Sequence, residues 1–382
     1  MHLFIIDLFI SIDTFAPIAD DLVKKKKKIF FFNSNIIQNH NPKNNLLLKY
    51  LNKNEFFQLI SNNSIYNLKF ILISFLLILL KFLLNLLKKK GFKVWRSLWE
   101  QDFYLSENYL NYTVKNLNIK SITILEDLPL KKKFFFKKIA KKNNIPFIIV
   151  PSGLSPLPGI TDISKENPDF FLSPNLFNKG KIKNLNSFKL VGSPRYDLSW
   201  ISQLNKVYNI NKNLKEFNVG IFTNPNEESL DEFNKIKKKL EEINIKFISN
   251  SKPREILPIE KTAQSIELSS TEIIEYSDLI IGYPSSILIE VIQKNKPIIF
   301  PYYSEKLIEL KKGSFFDQNE LFYFPKDFND LIKMIVSFKE NKKVFKYDSI
   351  KKNLFLKSTI NFEQEENILE NFSKFYSSLE TY

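Results

Sequence analysis

The sequence predicts an α/β protein built from two Rossmann-like halves. Three observations predict it. The chain has 382 residues, more than one ordinary core accommodates. Short apolar runs rich in β-branched and aromatic residues alternate with longer segments of helical period. Several of these runs end in turns of Ser, Gly and Pro, where an open parallel sheet places its ligand-binding loops.

The rhythm starts at the N-terminus. Leu3 to Phe9 reads as a strand, Ala16 to Lys25 as a helix, and KIFFFNS as a second strand. SLWEQDFYLSENYLNYTVKNL reads as a helix. SITILED is a strand ending in two carboxylates, Glu126 and Asp127. KKFFFKKIAKKNN is a helix, and IPFIIVPSGL a strand followed by a tight turn. DFFLSPN and SFKLVGSPRYD are two further short strands.

A second set begins near residue 216. FNVGIFTNP is a strand. NEESLDEFNKIKKKLEEIN is a helix with acids first and bases later, an order that suits its dipole. IKFISNSKPRE is a strand and loop, IELSS a short strand, and STEIIEYS a short helix. SDLIIGYPSSILIEVIQKNKPIIFPYY, residues 277–303, is then a strand, a turn, an amphipathic helix and another strand. FEQEENILENFSKFYSSLETY forms a last helix.

Composition removes several function classes. With no cysteine, the chain has no disulfide, thiolate zinc site or cysteine nucleophile. Its two histidines, His2 and His40, both lie near the N-terminus. That argues against a multi-histidine metal site, and against a Ser-His-Asp triad in the C-terminal half. No metal and no cofactor is expected. The net charge is +15, but Lys, Asn, Ile and Phe are abundant throughout and Gly numbers only 8. Such usage suggests an AT-rich genome, which inflates lysine without functional demand. The run Lys24 to Lys28 lacks the interleaved aromatics of a nucleic-acid surface and reads as a solvated helix end, so no nucleic-acid partner is expected.

The start, MHLFIID, lacks the basic opening of a signal peptide, which predicts a cytoplasmic protein. Residues 70–87, FILISFLLILLKFLLNLL, are apolar enough to barely span a bilayer. But Ser74, Lys81, Asn85 and Lys88 project from one face of a helix. The segment reads as a broad-faced amphipathic helix that does not cross. It either packs on the N-terminal half or lies on the cytoplasmic face of the inner membrane, which would then be a peripheral partner.

Three turns at strand ends carry the candidate chemistry. In GYPSS, Pro284 cannot extend the strand's hydrogen bonding, while Ser285 and Ser286 suit the cap of the next helix or an anion bound at its start. Glu290, one turn along, is positioned to accept bonds from a ribose; the plainer alternative is a capped helix with a solvated glutamate. In VGSPRYD, Arg195 offers a planar fork to phosphate or pairs with Asp197 or another surface acid. In IIVPSGL, Gly153 lets a ligand approach the backbone beside Ser152.

These turns together resemble a family. YPSSILIEVIQKNKPIIFPYY resembles the donor-site motif of GT-B glycosyltransferases of bacterial surface and capsular polysaccharide synthesis, and of CDP-glycerol glycerophosphotransferases. Asp278, Ser285, Ser286, Glu290, Lys296 and Pro297 match it. Gly-Ser-Pro-Arg-Tyr-Asp resembles the same group's junction segment. The resemblance covers about residues 140–300. It implies two Rossmann-like domains facing a cleft: an acceptor domain over 1–200, a nucleotide-donor domain over 201–360, and a helix over 361–382 crossing back. It implies a nucleotide-activated sugar or polyol donor, a glycan or lipid-linked acceptor, and metal-independent transfer. Ser285, Ser286, Glu290, Lys252, Arg254, Arg195, Ser152 and Gly153 would bind the donor.

The chain departs from the family pattern at two places. Ser152 stands where relatives carry His before Gly, and SNSKPRE keeps Lys252, Pro253 and Arg254 without the family's second His. The base for an acceptor hydroxyl must then be a carboxylate. Asp13, in the loop after the first strand, is the first candidate, followed by Glu126 and Asp127. A UDP-sugar 2-epimerase, which shares the architecture, and a non-catalytic homologue in a polysaccharide assembly complex are the alternatives.

Overall fold

The computed structural model describes residues 1–7, 9–34, 45–60, 107–151, 167–176, 179, 184–208, 216–222, 227–250, 268–283, 285–303, 320–341, 346–361 and 367–381. The chain divides into two compact units. Unit 1 holds Met1–Ser155, Thr161–Arg195 and Asn367–Tyr382, and unit 2 holds Pro156–Ile160 and Tyr196–Glu366.

Unit 1 is built on a seven-stranded sheet. Its strands are β1 (His2–Ile6), β2 (Ile29–Asn33), β3 (Phe57–Ile60), β4 (Ser121–Leu125), β5 (Phe147–Val150), β6 (Phe170–Ser173) and β7 (Phe188–Leu190). The order is β3-β2-β1-β4-β5-β6-β7, and every neighbouring pair is parallel. All seven carboxyl ends therefore lie on one edge. The order reverses between β1 and β4, the switch point where such sheets bind ligands. β1, β4 and β5 are buried along their whole length, as strands covered on both faces must be. Helices α1 (Phe9–Lys24), α2 (Leu46–Leu51), α3 (Glu107–Asn116) and α4 (Leu130–Lys142) supply the cover. Leu110, Val114, Phe136, Ile139 and Ala140 pack with Ile122, Ile124, Phe147 and Ile149 in one core cluster.

Helix α1 begins at Phe9, whereas the sequence predicts strand to Phe9 and helix only from Ala16. Pro17 would suit the first turn of a helix. Here Pro17 sits inside the helix. Burial outweighs the lost hydrogen bond: Ile12, Phe15, Ala16, Ile18, Ala19 and Leu22 are all at most 1% exposed. Asp13 consequently lies on this helix and not in a loop.

Unit 2 carries a four-stranded parallel sheet, β8 (Asn218–Phe222), β9 (Lys246–Asn250), β10 (Leu279–Ile281) and β11 (Ile298–Ile299), in the order β11-β10-β8-β9. Its switch point lies between β8 and β10. The helices are α5 (Leu198–Val207), α6 (Glu227–Glu242), α7 (Ser270–Tyr276), α8 (Leu288–Gln293), α9 (Phe328–Glu340) and α10 (Ser349–Ile360). A Cβ on Gly220 in β8 would sit 2.5 Å from Ser277 Oγ and 2.6 Å from Ile280 Cδ1, so only glycine lets α7 and β10 close on this strand. The short strand expected in IELSS is absent among its described residues. Ser269 instead caps α7, its hydroxyl accepting from Glu272 N while Glu272 Oε2 accepts from Ser269 N.

The last helix, α11 (Ile368–Ser378), belongs to unit 1. Tyr376 is fully buried and bonds Thr123 of β4 at 2.9 Å, and Lys25 of α1 reaches Glu370 at 2.8 Å. Helix ends share one device. After α3, α4, α6 and α8, an asparagine with φ near +50° turns the chain: Asn118, Asn144, Asn244 and Asn295. The next residue's N–H then bonds a carbonyl five back, as Ile119 to Val114, Ile145 to Ala140, Ile245 to Leu240 and Lys296 to Val291. The amphipathic helix expected over 70–87 lies outside the described residues. Among those described, no helix is long and apolar enough to cross a membrane.

Candidate functional site

The carboxyl edge of the second sheet carries the turn on which the functional reading rests. After β10, Gly282 and Tyr283 lead into Ser285 and Ser286. The sequence suggests these serines as side-chain caps of α8, and the structure does not use them so. Ile287 is the N-cap residue and no side chain caps the helix. Instead the Ser285, Ser286 and Ile287 carbonyls accept from Leu288, Ile289 and Glu290 N–H at 3.0, 3.2 and 3.1 Å. This tight i to i+3 winding satisfies the helix's first donors with main chain alone. Both serines are partly exposed, and their hydroxyls are left out of the cap.

Tyr196 holds the turn from below. Fully buried, it donates its hydroxyl to the Ser286 carbonyl at 2.5 Å, and its own carbonyl accepts from Gln293 Nε2 at 2.7 Å. The aromatic of the Pro-Arg-Tyr-Asp segment is thus the clamp on the Ser-Ser turn. Asp197, the next residue, has a local role at a helix start. It caps α5, accepting from Ser199 N at 2.9 Å, Trp200 N at 3.4 Å and the Ser199 hydroxyl at 2.5 Å.

Glu290 is only 2% exposed. Lys294 Nζ lies 3.0 Å from its Oε1, and Thr271 donates to Oε2 at 3.3 Å. Lys294 also pairs with Glu275 at 2.5 Å. Oε2 thus accepts a hydrogen bond inside unit 2, while Oε1 is ion-paired with Lys294 without a hydrogen bond among the described residues. Sequence reasoning missed this network; the spacing of Glu290 and Lys294, one helical turn apart, was its visible signal.

Two other matched residues have structural roles. Asp278 accepts from Asn218 N at 2.9 Å, joining β8 to the approach of β10. Lys296, 9% exposed, buries its ammonium against the C-terminal end of α7, donating to the carbonyls of Ile274, Glu275 (2.8 Å) and Ser277 (2.5 Å). A cation on a helix C-terminus satisfies carbonyls that the helix cannot. Lys296→Met is expected to cost unit 2 about 2 kcal/mol, since buried acceptors lose their donor. Urea unfolding checks this, and a loss below about 0.5 kcal/mol, the size of an ordinary surface change, would remove the assigned role.

The carboxyl edge of the first sheet holds a second cluster. At the β1 end, Asp7 accepts from the Ser34 hydroxyl at 2.6 Å and from Lys132 Nζ at 2.5 Å. Ser34 follows β2 and Lys132 opens α4 after β4, so three strand ends converge at the switch point. Asp7 is not among the candidate residues drawn from the sequence. Glu126 is 3% exposed at the end of β4, while Asp127 beside it faces solvent. Asp13 is partly buried on α1. Burial raises its carboxyl above the ordinary carboxylate range, and the charge of Arg195 opposes the rise. Ser152, Gly153, Lys252 and Arg254 lie outside the described residues. Among those described, no group of acids and histidines is arranged to hold a metal ion.

No family model and no curated sequence matches the chain. Solved structures do. A UDP-GlcNAc 2-epimerase from Methanocaldococcus jannaschii superposes with a TM-score of 0.58 at 13% identity, covering 100% of both chains. The UDP-GlcNAc 2-epimerase of Neisseria meningitidis, solved with UDP-GlcNAc bound, gives 0.55 at 11%, covering 99% of each. The wall teichoic acid polymerase TagF gives 0.56 at 10%, covering 99% of this chain and 89% of that one. These likenesses run the length of the chain and establish its fold as the two-unit α/β type implied by the sequence.

Proposed function

We propose that this chain transfers a glycosyl or glycerophosphoryl group from a nucleotide-activated donor in the synthesis of a surface polysaccharide. The observation that carries the reading is the Ser285-Ser286 turn at the carboxyl edge of the second sheet, with its hydroxyls left out of the helix cap. Its place in a Ser-Ser, Glu, Lys-Pro order on this fold supports a phosphate contact. Ser285 and Ser286 bind the phosphates, with Arg195, Lys252 and Arg254 as cations and Ser152 and Gly153 lining the approach. These stabilise negative charge as the phosphate-bearing leaving group departs. Glu290 fixes the start of α8 through Lys294 and Thr271; an additional ribose contact would require an oxygen to leave one of them.

In transfer, the acceptor hydroxyl forms the new bond to the donor's reacting carbon or phosphorus. The bond to the nucleotide leaving group breaks, and the hydroxyl proton passes to a carboxylate. Asp13 is the first choice, because a carboxyl with a raised pKa is the better base near neutral pH; Glu126 and Asp127 follow. The acceptor is a glycan or lipid-linked chain, and no resident metal takes part. A second reading, 2-epimerisation of a UDP-sugar, is favoured by the likeness to two such epimerases.

Calorimetric titration with UDP, CDP, GDP and CMP tests the common core of both. At least one is expected to bind. Ser285→Ala/Ser286→Ala is expected to weaken it about fivefold or more, the size of one lost hydrogen bond to a charged group. Affinity unchanged in a folded double variant overturns the assignment of the turn.

A further inference from the structure

Two tyrosine hydroxyls near the same sheet edge are buried and unbonded among the described residues. Tyr283, between β10 and the Ser-Ser turn, is 3% exposed, and Tyr302, beyond β11, is 6% exposed. Among the described residues, neither hydroxyl has a hydrogen-bond partner. Burying a hydroxyl unpaired is costly, and native structures rarely do so without a water or a ligand to complete it.

The surroundings say what kind of ligand. Glu232, on the second turn of α6 after β8, accepts the hydroxyl of Tyr303 through Oε1. Its Oε2 lies 3.7 Å from Lys235 Nζ, and its side chain is 14% exposed. Burial, chiefly, raises the Glu232 carboxyl, and Lys235 opposes it. Burial also raises the Tyr283 hydroxyl, with the Glu232 charge adding to it, and Tyr283 acts likewise on Tyr302. The three side chains are thus electrostatic neighbours. The Tyr283 and Tyr302 rings are 5.9 Å apart, walled by Phe233 at 4.9 Å from Tyr283 and Phe300 stacked at 5.2 Å on Tyr302. They come from the ends of β8, β10 and β11, spanning the switch point of the second sheet.

We propose that Tyr283, Tyr302 and Glu232 form the subsite for the hydroxyl-bearing sugar or polyol of the donor. A carboxylate here repels phosphate and accepts from alcohols. Two phenols that both donate and accept, set among aromatic faces, suit a neutral polyhydroxyl group. The proposal rests on the nucleotide-donor reading above and assigns the remaining half of the same ligand.

The test separates the two halves. Tyr283→Phe, Tyr302→Phe and Glu232→Gln are titrated with UDP and CDP, and with UDP-GlcNAc and CDP-glycerol. The tyrosine variants keep ring packing and lose only unpaired hydroxyls, so their melting temperatures are expected to hold. Each variant is expected to bind the bare nucleotide within about twofold of the parent, while affinity for the conjugated donor falls about fivefold or more. Bare nucleotide bound normally, with conjugated donor equally unaffected, overturns this proposal alone and assigns the hydroxyls to buried water. Equal losses for both ligands also overturn it, placing the residues at the nucleotide. No binding of any of the four by the parent protein overturns both this and the donor reading.

Discussion

Lys294→Met is expected to destabilise unit 2 by about 3 to 4 kcal/mol, the cost of stripping the counter-ion from a buried pair. The side chain is 11% exposed and bridges Glu275 at 2.5 Å and Glu290 at 3.0 Å, themselves 14% and 3% exposed. Without the ammonium, two carboxylates lose their shared cation and keep only neutral donors such as Thr271 and the Asn205 amide. Glu290→Gln/Lys294→Met is expected to recover part of the loss, because it leaves only one carboxylate in the pocket. Denaturant unfolding of the parent, the single and the double variant measures this. A single-variant loss under about 1 kcal/mol would mean that the cluster behaves as an exposed ion pair.

Acid is expected to weaken unit 1 through His2, well before most carboxylates titrate. The imidazole is fully buried at the start of the central strand, with Nδ1 2.9 Å from Ser121 Oγ and the Tyr376 ring edge-on at 4.9 Å. Burial above all, then the terminal amine and Lys27, depress its pKa from 6.5 to about 3. The folded value lies below the unfolded one, so the unfolded chain binds the proton first. Stability present above pH 6.5 is therefore lost as pH falls towards 3, at about 1.4 kcal/mol per pH unit, or about 2 kcal/mol between pH 7 and 5. His2→Asn keeps a bond to Ser121 without the titration. Urea unfolding from pH 7 to 5 is expected to show the parent's stability falling more steeply than the variant's. Parallel slopes would count against the assignment.

The alternation of strand and helix was legible because buried parallel strands are nearly continuously apolar, as FIIV, VGIF and LII are. Boundaries were legible only where local chemistry and burial agree. At α1 they conflict: Pro17 argues for a start, while Ile12 and Phe15 are needed on the sheet. At IELSS, β-branched composition lost to the reciprocal Ser269 and Glu272 cap. At the candidate site, the Ser-Ser turn was legible, but the roles of Tyr196, Lys294 and Lys296 were not. Their partners are Ser286, Glu275 and the α7 carbonyls, and only the first sheet position of each strand decides who meets whom. Asp7, Ser34 and Lys132 escaped for the same reason: 125 residues separate Asp7 from Lys132, and the β1–β4 crossover alone joins them.

The asparagine-terminated helices connect this architecture to the gene. Glycine codons begin with two guanines, whereas both asparagine codons begin with two adenines. A coding sequence drawn towards A and T can thus lose glycine at the points where a helix reverses into a strand, and asparagine is the replacement that tolerates a left-handed backbone. Asn118, Asn144, Asn244 and Asn295 are positions where the left-handed turn is made without glycine. Recoding them to glycine would measure the conformational cost of asparagine at four helix ends in a single molecule.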